Sequence, residues 1–153
     1  MPAGLFSLSL EVVEGADQNI LYQENIKTSN EERLQLIDDV MKFFEQNKIK
    51  LKVDQYELHL ILDEAITNSM EHGNRWNEDK SVRVRIREPE KDKITVDIKD
   101  EGIGFNPNIV PSILNANGKL NPRGRGIYII KRFCGASWNN LGNEITLTFE
   151  KED

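Results

Sequence analysis

Two short runs in the middle of the chain alternate with the period of a strand. Val82, Val84 and Ile86 alternate with Arg83, Arg85 and Arg87, and Ile94, Val96 and Ile98 alternate with Thr95, Asp97 and Lys99. A period of two sends one set to each face of a sheet, and the polar turn between the runs makes them a hairpin. One face is apolar and the other charged, so the sheet needs a cover on one side only. The Arg stripe reads as a solvated outer face partly paired to Asp97, in preference to a docking surface.

The rest of the chain supplies the cover. Ser29-Asn-Glu-Glu32 is a capping box that opens a helix to about Asn47, with Leu34, Ile37, Met41 and Phe44 facing the core. Asp54-Gln-Tyr-Glu57 repeats the device and opens a helix to His72 with Leu58, Ile61, Leu62, Ala65 and Ile66 inward; Gly73 is placed to stop it. Ile20 to Ile26 reads as a strand, and the apolar start with Leu5, Phe6, Leu8 and Leu10 reads in part as an added edge strand. Beyond the hairpin, Asn106 to Arg123 has no firm periodicity, which in a compact domain suggests a lid, with room for a helical turn around Ile109 to Leu114. A helix follows from Gly126 to about Phe133, then strands near Ala136 to Leu141 and Glu144 to Phe149, turning at Gly142-Asn143. The expected fold is α+β: one domain, with helices on one face of a mixed, mostly antiparallel sheet.

Composition removes several function classes. With a net charge of −6, the chain is a poor match for nucleic acid. No apolar run reaches the ~18 residues of a membrane span, and no secretory leader is visible. The single cysteine, Cys134, reads as a small core residue, and one Cys with two His leaves no zinc cluster. These features fit a cytoplasmic protein.

Three motifs carry chemistry. Glu64 and Asn68 stand four apart on the second helix, so both project from one side, about 5–6 Å apart at Cβ. Such a pair suits a metal-bound phosphate with a base beside it, and is also common on solvated helices. Asp100-Glu-Gly102-Ile-Gly104 follows a strand; its glycines let backbone approach a flat ligand, and its Asp can accept from an exocyclic amine such as that of adenine. Otherwise it is an ordinary Gly-rich turn. Gly124-Arg125-Gly126 leads into a helix, where backbone N–H groups and the macrodipole favour an anion, with Arg123 and Arg125 adding charge. No P-loop and no Rossmann fingerprint occurs.

In this order, with a lid-length gap between the last two, the motifs resemble the GHKL (Bergerat-fold) ATP-binding family from about Ile20 onward. The resemblance implies a two-layer α/β sandwich that binds ATP and Mg²⁺. It implies that Asn68 is the metal ligand, Glu64 the general base and Asp100 the adenine reader, with Gly102 and Gly104 shaping that pocket. Gly124, Arg125 and Gly126 would meet the phosphates, and residues 106–123 would be the ATP lid. Asn143 stands where many relatives place Thr, and Glu101 adds a charge with no assigned role.

Within the family, histidine kinases usually carry Asn at the place of Glu64 and need a helical hairpin with a phosphoacceptor His; gyrase-like and Hsp90-like members need a second domain. Glu64-Ala-Ile-Thr-Asn68, His72-Gly73 and Gly124-Arg-Gly-Ile-Tyr-Ile-Ile130 resemble the stand-alone anti-sigma-factor serine/threonine kinases. That branch implies phosphorylation of a STAS-type anti-sigma-factor antagonist and regulation of a sigma factor by partner switching. The alternative is an ATP-gated binding module without significant turnover. The extension 1–18 could serve homodimerisation or partner choice.

Overall fold

A computed structural model describes residues 19–104 and 122–153, the side chains of Pro122 and Arg123 excepted. The first strand, β1, is Ile20–Lys27. Ser29 then caps helix α1, Asn30–Gln46, by accepting the Glu32 N–H at 3.1 Å. Only this half of the expected box is formed. Its buried stripe is Leu36, Ile37, Val40, Phe43 and Phe44, whereas Leu34 is 57% exposed. At 100° per residue Leu34 lies about 120° from the centre of that stripe, which corrects its core assignment.

Helix α2, Gln55–Asn68, has the full reciprocal cap. The Glu57 N–H donates to Asp54 Oδ1 at 2.8 Å and the Asp54 N–H to Glu57 Oε1 at 2.9 Å. Leu58, Ile61, Leu62, Ala65 and Ile66 are buried, as the periodicity requires. The helix does not stop at a left-handed glycine. It widens into a π turn over Ser69–Gly73, closed by the Asn74 N–H on the Ser69 carbonyl at 2.8 Å. The chain turns away at Arg75 and Trp76, both at positive φ.

Strands β2 (Ser81–Glu90) and β3 (Lys93–Lys99) form the expected hairpin, paired Arg83↔Lys99 through Arg87↔Thr95. Helix α3 is Pro122–Phe133, followed by β4 (Gly135–Trp138) and β5 (Glu144–Glu150). Thus α3 begins four residues before the Gly126 expected from sequence, with Pro122 at its first position, where the missing N–H costs nothing. β4 is shorter than expected and ends at Trp138, because residues 139–143 form a tied turn. The sheet order is β1-β2-β3-β5-β4, and every described pairing is antiparallel rather than mixed.

Val82, Val84, Ile86, Ile94, Val96, Ile98 and Leu147 are fully buried under α1 and α2 in one core. Burying each such side chain is worth about 1.5–3 kcal/mol. The opposite face is laced by charge. Arg87 forks onto Asp97 at 2.6 and 3.0 Å, Thr146 Oγ1 donates to Asp97 at 2.7 Å, Arg83 meets Glu144 at 2.8 Å, and Arg85 donates to Gln23 at 2.9 Å. The Arg stripe is therefore a paired outer sheet face. Among the described residues, no helix is long and apolar enough to cross a membrane. The possible edge strand in 1–18, the turn near 109–114 and nearly all of the lid 106–123 lie outside the described residues; positions 122 and 123 belong to α3.

Candidate functional site

The three motifs converge where α2, α3 and the ends of β3 and β5 meet. Glu64 and Asn68 sit on the flank of α2, beside its buried stripe rather than within it, and α3 covers that flank. Contact is close because position 126 has no side chain. A Cβ on Gly126 would lie 2.8 Å from Glu64 Oε2 and 2.9 Å from Asn68 Nδ2. A larger residue there would displace the ends of the Glu64 and Asn68 side chains.

Arg125, one residue earlier, reaches Glu64, with Nη2 3.8 Å from Oε1. The Glu64 side chain is only 16% exposed. Burial pushes its carboxyl above the usual range, Arg125 pulls it back, and Asp63 and Glu71 push it further up. A half-buried carboxylate raised by desolvation is a stronger proton acceptor than one on a solvated helix. Gly124 is buried and, like Gly126, lies within the first turns of α3 rather than in a loop ahead of it.

Asp100 directly follows β3 and is 8% exposed. Its Oδ1 accepts the Gly102 N–H at 2.8 Å, and its carboxyl rests on Gly73, where a Cβ would come within 2.3–2.6 Å of all three carboxyl atoms. Gly73 is the last residue of the helical run, and its missing side chain also allows the close approach of Asp100. A Cβ on Gly102 would strike the Gly73 carbonyl at 2.4 Å, and one on Gly104 the Leu141 carbonyl at 1.9 Å. The two glycines let the loop fold down onto the π turn and onto the β4–β5 turn.

Asn68, Asp100 and Asn143 line one cleft, walled by Ala65, Ile127, Ile130 and Ile145. It offers the Asp100 carboxylate and two carboxamides beside apolar walls, which suits a flat heterocycle bearing an amine. Glu64, Arg125 and Gly126 stand at the α2–α3 end, beside the positive end of α3. Among the described residues, no group of three or more His, Cys, Asp or Glu could hold a metal unaided. Asn68 offers a single protein oxygen, which suits a hard cation shared with phosphate.

Other sequence candidates resolve simply. His72 pairs with Glu71 at 3.5 Å on the π turn, and His59 is exposed. Glu101 accepts the Ser81 N–H at 2.5 Å and ties the loop to β2. Burial pushes the Cys134 thiol up to about 12, so it is an inert packing residue. Two residues that sequence reasoning passed over matter more. Asn74, 1% exposed, donates to Thr28 Oγ1 and the Ser81 carbonyl and accepts the Glu101 N–H, so it fastens the π turn to the loop holding Asp100. Asn139 organises the turn beside the cleft. Both could have been suspected as Asn residues next to glycine-bearing turns.

Residues 28–149 match the histidine kinase-like ATPase domain. Among solved structures, the mycobacterial sensor histidine kinase MprB has a TM-score of 0.53 at 13% identity, over 86% of this chain and 99% of that one. At that identity the likeness concerns the fold alone. Curated protein sequences give no match. With its helices on one face of an antiparallel sheet, the chain belongs to the histidine kinase-like ATPase (GHKL) domain family.

Proposed function

We propose that this chain is a serine/threonine protein kinase of the anti-sigma-factor type, which binds ATP in the cleft and phosphorylates a STAS-type antagonist. The observation that carries the reading is Glu64: a half-buried carboxylate raised by burial, one helical turn from Asn68 and against the first turns of α3. A domain that only gripped nucleotide would have no use for a proton acceptor there.

The chain's residues divide the work. Asp100 accepts a hydrogen bond from the purine amine, and the isoleucines of the cleft exclude water from the ring. Arg125 and the positive end of α3 hold the phosphates. Asn68 holds Mg²⁺, which when bound neutralises phosphate charge. Glu64 accepts the proton of a Ser or Thr hydroxyl as that oxygen bonds to the γ-phosphorus; the bond from phosphorus to the β,γ-bridging oxygen breaks and ADP leaves.

One observation favours a second reading, an ATP-gated binding module. The Arg125–Glu64 pair engages the carboxylate that would act as base. Incubation with labelled ATP, Mg²⁺ and a co-encoded STAS protein separates the two. The kinase reading expects acid-stable label on the partner's Ser or Thr; nucleotide binding without transfer would leave the module.

A further inference from the structure

The turn between β4 and β5 is tied by one side chain. Asn139 Oδ1 accepts three backbone N–H groups, from Gly142 at 2.7 Å, Asn143 at 3.0 Å and Glu144 at 3.2 Å. Only a carbonyl oxygen can accept, so these partners fix which end of the carboxamide faces the turn. Its nitrogen then donates to Asn143 Oδ1 at 2.7 Å. That contact orients the next carboxamide. Asn143 turns its oxygen to Asn139 and its Nδ2 toward Asp100, 3.4 Å from the Asp100 carbonyl. The backbone locks the same two residues, with the Asp100 N–H on the Asn143 carbonyl at 2.9 Å. Both line the cleft, and Gly104 packs on Leu141 of the same turn.

We propose that Asn139 is a positioning residue that sets the nucleobase preference of the cleft, by turning the N–H end of Asn143 to the backbone carbonyl of Asp100, the residue whose carboxylate is the cleft's acceptor. The inference rests on reading the cleft as a nucleotide site. A donor beside an acceptor complements adenine, whose edge offers an amino donor next to a ring-nitrogen acceptor. It mismatches guanine, whose edge offers a carbonyl next to a ring N–H. Asn139 touches no ligand; it acts through Asn143.

The test is equilibrium binding of ATP and GTP to the full chain. Asn139→Asp keeps an oxygen for the three N–H groups but puts an acceptor against Asn143, whose carboxamide then turns over. ATP affinity falls about tenfold, the order of one good hydrogen bond, while GTP affinity does not fall with it. The ATP:GTP ratio collapses at a melting temperature near that of wild type. Asn143→Ala, which leaves the Asn139 bonds to backbone in place, lowers the ratio too and decides the matter should Asn139→Asp fail to fold. A wild-type ratio in the folded variants, or equal weakening of both nucleotides, overturns the inference and leaves the ATP site standing. Wild-type protein that binds neither nucleotide overturns the nucleotide-site reading, and the inference with it.

Discussion

Arg125 and Glu64 form an ion pair across α3 and α2, with Nη2 of one 3.8 Å from Oε1 of the other. The arginine is 48% exposed and the glutamate 16%, so the pair joins an exposed cation to a largely buried anion. Exposed pairs of this kind are worth at most about 1 kcal/mol. Breaking it is cheap, and an arriving phosphate is a better partner for the guanidinium.

Replacing Arg125 by Ala should therefore act at two points. Nucleotide affinity should fall about tenfold, the loss of one charge-assisted contact, as measured by calorimetry. The Glu64 carboxyl, followed by carbon-13 NMR, should titrate higher than in wild type, because Arg125 is the cation that pulls it down. An unmoved titration would remove Arg125 from the account.

Glu64 also makes stability depend on pH. Its carboxyl is raised on folding, so the folded state disfavours the ion. Its contribution is present in full below the ordinary value of 4.5 and is lost as pH rises through the folded value. Glu64→Gln should therefore melt a few degrees above wild type at pH 8, with the gap closing below about pH 4.5. A lower melting temperature at pH 8 would show the carboxylate to be stabilising instead.

Gly73→Ala should damage both the fold and the cleft. The new methyl would fall within 2.3–2.6 Å of the Asp100 carboxyl atoms. Overpacking of this sort costs about 1–3 kcal/mol, readable by urea denaturation, and Asp100 should be pushed aside, so ATP affinity falls as well. Gly73 is needed for its size; a variant that binds ATP normally would contradict that.

The outer sheet face should prove purely structural. Asp97 is 4% exposed and takes both the Arg87 fork and the Thr146 hydroxyl. Asp97→Ala removes the fork from Arg87 and the acceptor of the Thr146 hydroxyl and should cost about 3 kcal/mol in denaturant titration, with ATP affinity unchanged where the protein is folded.

Residues that sit on a periodic pattern were legible in the sequence. Alternation from Val82 to Ile98 gave the hairpin and its apolar face, and the Asp54 box gave the start of α2. Spacing gave Glu64 and Asn68 one flank, and three ordered motifs gave the family. Tertiary contact decided the rest. Leu34 is apolar but falls on the wrong side of α1. Gly73 ends the helical run, yet the need for its small size is set by Asp100, 27 positions away. Asn139 and Asn74 stand next to glycine-bearing turns, but the groups they bond are brought within reach only by the folded chain.

Glu64 is proposed as the proton acceptor for a protein hydroxyl, and one substitution tests that role. Wild type and Glu64→Gln are compared for transfer of labelled phosphate to a STAS protein encoded beside this chain, as the proposed substrate, with ATP affinity measured in parallel. Transfer should fall at least about a hundredfold while affinity stays within a few-fold. Transfer at the wild-type rate from the Gln variant would contradict that role.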